Sequence, residues 1–122
     1  MRKVLFDSSF LMSVSESPTD WKGGIEEAVG GFEPVLLDCV ERELTSISAR
    51  RGKKAKLAGL ALRLASGFDR EPCGSAEVDH ELVSSALASG AAVATVDREL
   101  VSTLRALHIE VLRLGSGRVK KG

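Results

Sequence analysis

The sequence predicts an α/β fold in which short buried strands alternate with helices. The N-terminal run Val4–Phe6 is apolar at three consecutive positions, which is typical of a central parallel strand buried on both faces. Two further short apolar runs, 35–37 and 91–95, are separated from it by segments with helical periodicity. This alternation predicts a three-layer α/β/α sandwich around a mainly parallel sheet of four to five strands.

The first third of the chain predicts a strand, a loop, a helix and a second strand. The first strand covers residues 3–6 and ends at Asp7. Residues 13–20 are polar and contain a proline, so they are expected to form a loop. A short helix is expected around residues 25–29, followed by two glycines that stop it. Residues 35–37 then form the second strand.

The middle of the chain predicts two helices separated by a glycine. Val40, Leu44 and Ile47 recur at spacings of four and three, which indicates one apolar helix face. Gly52 interrupts this pattern, and a second helix follows. Its expected buried residues are Leu57, Leu60, Ala61 and Leu64. Residues 68–76 contain a proline and a glycine and are expected to connect this helix to the next.

The last third predicts two helices, two strands and a tail. One helix begins at Asp79 and has an apolar stripe of Leu82, Val83, Ala86 and Leu87. The other begins at Asp97, after the small-residue strand, and its expected inward residues are Leu100, Val101, Leu104 and Leu107. The last strand is expected at residues 109–112. We therefore expect one domain, residues 1–115, followed by a flexible basic tail, residues 116–122.

Composition excludes disorder and a membrane span. The 122 residues are 43% hydrophobic and 28% charged, as in a soluble globular domain. No apolar run approaches the length that crosses a bilayer, and no signal-peptide pattern is visible. Cys39 and Cys73 form no CxxC pair, so neither a zinc knuckle nor a redox motif is predicted. We expect a cytoplasmic, reducing location.

Charge is balanced over the chain but unevenly distributed. The sequence has 17 basic and 17 acidic residues. A basic run lies between the two middle helices and consists of Arg50, Arg51, Lys53, Lys54 and Lys56. This basic run is the expected contact for a nucleic-acid backbone, although such runs are also common at solvated helix junctions.

Four carboxylates are expected at the same edge of the sheet. Asp7 and Asp97 each follow a predicted strand, and Glu43 lies early in the helix after the second strand. Asp79 opens the helix that must run back before the third strand begins. Taken singly, Asp79 and Asp97 could be helix N-caps and Glu43 a solvated residue. Taken together, they predict an acidic site outside the carboxyl ends of parallel strands.

Converging carboxylates predict a divalent cation. Bare carboxylates a few ångströms apart repel one another and raise each other's pKa, and a cation removes this penalty. Oxygen-only ligands favour Mg²⁺ or Mn²⁺ over zinc. A bound ion of this kind makes water more acidic and stabilises charge on a leaving oxygen, which is the chemistry of phosphodiester hydrolysis. The hydroxyls of Ser8 and Thr95 could orient these ligands, or could simply satisfy backbone groups at strand ends.

The acidic segments resemble those of PIN domains. The similar segments occur in the expected order and extend over most of the chain. They are Asp7-Ser8-Ser9, Val40-Glu41-Arg42-Glu43-Leu44, Val78-Asp79-His80-Glu81-Leu82 and Ala94-Thr95-Val96-Asp97-Arg98-Glu99-Leu100. The resemblance is greatest to single-domain members such as VapC-type toxin ribonucleases and ribosomal-RNA-processing nucleases. It implies a parallel α/β/α sandwich and a metal-dependent endoribonuclease whose acidic residues correspond to Asp7, Glu43, Asp79 and Asp97. It also implies RNA as partner, a homodimer and, for a toxin, a protein antitoxin.

The chain departs from the PIN pattern at two positions. His80 stands where relatives often have a second acid, and Val96 stands where they often have Asn. Neither departure removes one of the four acids. The choice of Glu43 over Glu41 rests on the motif and on the neighbouring Leu44, so Glu41 stays open as an alternative.

Other functions are compatible with parts of the pattern. A non-catalytic RNA-binding or assembly factor could keep the same fold. A receiver-like phosphoacceptor domain built on Asp7 would require an acidic pair on the first strand, which is absent. A haloacid-dehalogenase-like phosphatase is disfavoured because Ser8 and Ser9 follow Asp7, with no second Asp two positions on.

Overall fold

Six strands and six helices make up the computed structural model, which describes all 122 residues. The strands are β1 (Arg2–Phe6), β2 (Phe32–Leu37), β3 (Asp69–Glu71), β4 (Ala92–Ala94), β5 (Val111–Gly115) and β6 (Arg118–Lys121). The helices are α1 (Ser8–Glu16), α2 (Trp21–Val29), α3 (Asp38–Ser48), α4 (Lys53–Leu64), α5 (Val78–Ser89) and α6 (Arg98–Ala106). None of the helices has the length and apolar character needed to span a lipid bilayer.

The strands form a single sheet in the order β3-β2-β1-β4-β5-β6. The first five strands are parallel and β6 is antiparallel to β5. The predicted α/β sandwich with a mainly parallel sheet is confirmed, but the sheet has six strands where four to five were expected. The chain runs outward from β1 to β2 and β3, then crosses to β4 and β5 on the other side. The chain therefore changes direction between the neighbouring strands β1 and β4. The crevice outside their carboxyl ends is the topological switch point, where ligands bind in open α/β sheets.

β1 is the centre of the hydrophobic core. Val4, Leu5 and Phe6 have no exposed surface and pair with β2 on one side and β4 on the other. An aromatic cluster caps this strand, because the Phe6 ring contacts Trp21 and Phe68 at centroid distances of 5.5 and 4.9 Å. Burial on both faces explains why the strand has no alternating pattern.

Helix α1 replaces the loop expected over residues 13–20. The expectation was wrong for the first part of that segment because the polar serines hid a short amphipathic helix. Phe10, Leu11 and Val14 are buried on one face of α1, while the serines lie around the rest of it. The helix ends before Pro18, as a proline requires of the residues that precede it.

Strand β3 lies within the segment expected to be a connector. It pairs with β2 over three residues, from the Val35–Asp69 pair to the Leu37–Glu71 pair. Its sequence, Asp-Arg-Glu, has no apolar pattern because β3 is a short edge strand with mostly exposed side chains. Pairing alone defines it, so the sequence could not predict it.

Strand β6 occupies the segment expected to be a flexible tail. Ser116 and Gly117 both have positive φ angles, 53° and 75°, and form a tight turn of the kind that joins antiparallel strands. Val119 of β6 lies against Gly24 of α2, where an added Cβ would meet Val119 Cβ at 2.8 Å. The C-terminus is thus fixed to the domain by pairing and by packing. The strand before it, β5, begins at Val111 rather than at residue 109.

Three leucines expected in the core are exposed instead. Leu60, Leu87 and Leu107 are 45%, 57% and 43% exposed. In α4 the buried stripe consists of small residues, Ala55, Ala58 and Ala61. Small side chains allow α4 to pack closely against α1 and α3, which turns Leu60 outward.

The two cysteines, far apart in the sequence, form a disulfide. The Cα atoms of Cys39 and Cys73 are 5.9 Å apart although 34 positions separate them. The bond ties the loop after β3 to the first turn of α3. The spacing of the cysteines did not suggest this pairing, because only the parallel pairing of β2 with β3 brings the two segments together.

Candidate active site

Asp7 is a buried carboxylate at the end of the central strand. Its side chain is only 5% exposed, and its backbone N–H donates to the carbonyl of Ala94 at 2.9 Å. Asp7 occupies the N-cap position of α1 but its carboxylate does not cap that helix. The carboxylate is therefore available to bind a ligand at the switch point between β1 and β4.

Two hydroxyls hold the Asp7 carboxylate from one side. Ser9 Oγ donates to Asp7 Oδ2 at 2.6 Å, and Thr95 Oγ1 donates to the same oxygen at 2.7 Å. Both hydroxyls also accept from the chain after β4: Ser9 from the Val96 N–H at 3.1 Å and Thr95 from the Asp97 N–H at 3.1 Å. Asp7 Oδ1 has no protein donor. The network thus fixes one oxygen and leaves the other available to a ligand.

Ser9 and Thr95 both hold the Asp7 carboxylate in this network. The sequence singled out Ser8 and Thr95 and missed Ser9. Successive residues in a helix point about 100° apart, so two adjacent serines face different partners. A helix predicted to begin at Ser8 would have indicated that only one of the two serines faces Asp7.

Ser8 contacts Glu43. Its Oγ donates to Glu43 Oε1 at 2.5 Å, which joins the start of α1 to the second turn of α3. Glu41 faces elsewhere, since both of its carboxylate oxygens accept from the Arg70 guanidinium at 3.1 and 3.2 Å. Of the two glutamates left open by the sequence, Glu43 therefore lies beside the Asp7 segment and Glu41 is paired with an arginine.

Asp97 is the N-cap of α6. Its Oδ1 accepts from the backbone N–H groups of Glu99 and Leu100 at 2.9 and 3.2 Å. The capping interpretation of Asp97 is thus correct, but it uses only one carboxylate oxygen. The other oxygen has no protein donor, and the side chain is exposed at the same edge as Asp7.

Asp79 lies in the first turn of α5, whose N-cap is Glu77. The carboxylate of Asp79 is not a cap and makes no side-chain hydrogen bond. The preceding loop is held by Glu81, which accepts from the Gly74 N–H at 2.6 Å and from Ser75 Oγ at 3.1 Å. Loop geometry and the Cys39–Cys73 disulfide together position the start of α5.

Negative charge accumulates among these side chains. Burial raises the pKa of Asp7, and the charges of Glu43 and Asp97 raise it further, while the hydrogen bonds from Ser9 and Thr95 lower it. Partial desolvation also raises the pKa of Asp79, followed by the charges of Asp7 and Asp97. Asp7 thus interacts with each of the other three predicted acids. All four are at one edge of the sheet.

The carboxylate oxygens at this edge are suitable ligands for a hard divalent cation, but the side chains do not form a closed metal site. No group of three or more His, Cys, Asp or Glu side chains is close enough to hold an ion as the rotamers stand. The carboxylates of Asp7 and Asp97 nevertheless each present an oxygen with no protein donor, in surroundings that a positive charge would stabilise. Carboxylate oxygens are ligands for Mg²⁺ or Mn²⁺.

The predicted basic run lies at the junction of α3 and α4 and is exposed. Lys53 is ion-paired with Glu16 at 2.5 Å, and no ion pair or hydrogen bond joins the run to the four acids. Arg50 follows Glu43 by about two helical turns, roughly 10 Å along the axis. The run is therefore an exposed basic surface near the end of a helix that begins at the acidic edge.

The two departures from the PIN pattern have different surroundings. His80 is exposed on α5 and its nearest polar contact is Ser84 Oγ, 3.5 Å from Nε2. Val96 is partly buried and packs on the core while its N–H is bound by Ser9. Neither side chain forms a hydrogen bond with Asp7.

The sheet order and the helices are those of a PIN-domain fold. The chain is similar over 98% of its length, and over 90% of the other chain, to the structure of the PIN domain endonuclease Utp24, with a TM-score of 0.79 and 23% identity. It is also similar to the crystal structure of PAE2754 from Pyrobaculum aerophilum, with a TM-score of 0.53 and 17% identity over 83% of this chain and 78% of that one. The fold implied by the family resemblance is confirmed.

These similarities concern the fold, since both identities are below 25%. No protein-family model matches the sequence, and no curated protein matches it. The function therefore depends on the residues at the acidic edge and not on the fold alone.

Proposed function

We propose that this protein is a metal-dependent endoribonuclease that hydrolyses phosphodiester bonds in RNA. The observation that carries the proposal is the buried Asp7 carboxylate at the switch point, with its raised pKa and with Glu43 and Asp97 close enough to act on it. A buried, repelled carboxylate that keeps one oxygen free is costly unless it serves a ligand.

The proposed ligands are Asp7, Glu43, Asp79 and Asp97. Mg²⁺ or Mn²⁺, when bound, supplies positive charge next to a phosphate and lowers the pKa of a water. The chain's own contribution is positioning: Ser9 and Thr95 fix the rotamer of Asp7, and Ser8 fixes that of Glu43. Helix N-termini at α1, α5 and α6 also point toward this edge and favour negative phosphate oxygens there.

The test is cleavage of a labelled single-stranded RNA by the purified chain in Mn²⁺ or Mg²⁺. We expect cleavage that is abolished by EDTA, by Asp7→Asn and by Asp97→Asn, with the far-ultraviolet circular dichroism unchanged. Glu26→Gln, which alters an exposed acid on α2 that has no ion pair, is the matched control. Undiminished cleavage in EDTA, or full activity of both aspartate variants, would overturn the proposal.

A second candidate is a non-catalytic RNA-binding or assembly factor with the same fold. The observation that favours it is the lack of three carboxylates close enough to hold an ion as the side chains stand. Calorimetric titration with Mn²⁺ separates the two candidates. Binding that depends on Asp7 supports the nuclease, whereas RNA binding without any metal binding supports the assembly factor.

The oligomeric state, protein partner, biological role and location are proposed from the resemblance to PIN domains. We include a homodimer, a possible protein antitoxin, a toxin or RNA-processing role and a cytoplasmic location in the proposal. The Cys39–Cys73 pair bears on location, because disulfides are rare in reducing compartments. In the cytoplasm this pair would exist mainly as two thiols.

A further inference from the structure

A cavity lined by arginines lies beside the acidic edge, between α6 and β5. It has a volume of about 590 Å³ and is lined by Arg98, Arg105 and Arg113, with no acidic residue among its lining residues. This volume is in the range of small-molecule sites, which run from roughly 300 to 1,000 Å³. The cavity is therefore large enough for a nucleotide.

The arginines of this cavity have no anionic partner within the chain. Arg2 and Arg70 are ion-paired elsewhere, but none of the three cavity arginines makes a salt bridge or a side-chain hydrogen bond. The Nε atom of Arg113 is buried and lacks a hydrogen-bond partner. Guanidinium groups stay charged at any accessible pH, so three of them around one cavity repel each other unless an anion is bound.

One end of the cavity reaches the edge of the sheet that holds the four acids, and the cavity extends from there along α6 to Arg105 in its last turn. Arg98 follows Asp97 directly, and Val96 on the other side of Asp97 also lines the cavity. Arg113 is the middle residue of β5, one residue beyond Leu112, which pairs with Ala94 at the end of β4. A polynucleotide chain crossing the acidic edge would reach this cavity next.

The chemistry of the lining matches a nucleotide of an RNA strand. Guanidinium groups bind phosphate oxygens with two parallel hydrogen bonds, which suits phosphate better than a point charge does. Val96, Val101 and Leu114 provide apolar surface for the base or the ribose. An acidic peptide would use the arginines but not this apolar wall, so RNA fits the whole lining better.

We propose that this arginine cavity is a substrate subsite that holds a phosphate and its nucleotide next to the scissile bond. The inference rests on the proposed ribonuclease function, because the cavity is interpreted as part of the path of that substrate. It differs from the basic run at residues 50–56, which lies at the junction of α3 and α4.

The test is fluorescence anisotropy with a labelled single-stranded RNA of about 12 nucleotides in EDTA, so that binding is measured without cleavage. We expect the double variant Arg105→Gln, Arg113→Gln to lower affinity at least about tenfold. The slope of log affinity against log salt should fall by about 1.4, since each phosphate contact to a single strand contributes about 0.7. Arg63→Gln, an exposed arginine on α4 without an ion pair, is the control and should change affinity less than twofold.

Arg105→Gln alone guards against misfolding, because Arg105 is exposed and contacts no side chain through a hydrogen bond. Unchanged RNA affinity in this variant and in the double variant would overturn the subsite. Equal or tighter arginine-dependent binding of AMP or of polyglutamate would also overturn it, in favour of a free nucleotide or an acidic protein. Arginine-dependent RNA binding with no cleavage in Mn²⁺ would refute the proposed nuclease, and with it the substrate role of the cavity, and would leave the cavity as an RNA-binding site only.

Discussion

Thr95 connects the two aspartates that follow neighbouring strands. Its Oγ1 donates to Oδ2 of Asp7 at 2.7 Å and accepts from the backbone N–H of Asp97 at 3.1 Å. Thr95 itself is completely buried. One hydroxyl therefore sets the rotamer of Asp7 and the course of the chain that carries Asp97.

Replacing Thr95 by valine should weaken both the fold and the site. The change keeps the shape of the side chain but leaves Asp7 and the Asp97 N–H each short of one hydrogen bond. We expect a loss of about 1–3 kcal/mol in the free energy of unfolding, measured with urea. Cleavage should fall about 10–100-fold, as for partners that orient metal ligands. Thr103→Val, which removes an exposed hydroxyl on α6, should change neither; equal effects of the two variants would contradict the role of Thr95.

Asp7→Asn should stabilise the metal-free protein at neutral pH. The pKa of Asp7 is raised in the folded state, so the folded state holds this proton more tightly than the unfolded chain does. Its contribution to stability is present at low pH and is lost as the pH rises from the ordinary Asp pKa, 3.8, through the raised value. Urea unfolding in EDTA should therefore show a stabilising effect of Asp7→Asn at pH 7 that disappears below the ordinary pKa. Asp69→Asn on the exposed β3 serves as control. A destabilised Asp7→Asn at pH 7 would contradict the raised pKa.

Glu43 and Glu41 form a matched pair for testing the ligand set. Glu43→Gln should reduce Mn²⁺ affinity at least about tenfold, since even residues that only orient ligands have effects of this size. Glu41→Gln should leave metal affinity unchanged and cost at most about 1 kcal/mol through the lost Arg70 pair. Calorimetry measures the affinities and urea unfolding the stabilities. A larger loss of metal affinity in Glu41→Gln would reverse the assignment.

Gly24→Ala should loosen the C-terminal strand. The new Cβ would lie 2.8 Å from Cβ of Val119, so either β6 or α2 must move. We expect a loss of about 1–3 kcal/mol and faster amide exchange at residues 118–121. Gly59→Ala, in the interior of α4 with nothing within 4 Å, should gain about 0.5–1 kcal/mol instead. A destabilised Gly59→Ala or a neutral Gly24→Ala would contradict this packing.

The state of the cysteine pair should affect stability. Closing a loop across 34 positions is expected to stabilise the oxidised protein by about 3–4 kcal/mol over the reduced one. Unfolding with and without dithiothreitol measures the difference, and thiol titration counts the free sulfhydryls. In Cys39→Ser the reductant should have no effect. A wild-type protein that titrates two free thiols after air oxidation would show that the bond does not form.

The sequence determined the α/β class, the central strand and the edge of the sheet at which Asp7 and Asp97 lie. These features follow from local properties: continuous apolar runs mark buried parallel strands, and acids directly after strands must share an edge. The sequence also indicated Asp97 as a helix cap, since capping depends on neighbours two and three residues away.

Only the tertiary structure decided the elements and partners that depend on distant segments. β3 and β6 carry no apolar pattern because edge strands are defined by pairing, and the exposure of Leu60 on α4 follows from close packing of the alanines of that helix. The pairing of Cys39 with Cys73, the choice of Glu43 over Glu41 and the role of Ser9 all required positions in space. The arginines at 98, 105 and 113 share a cavity only because α6 lies against the end of β5, and no spacing along the chain records that contact.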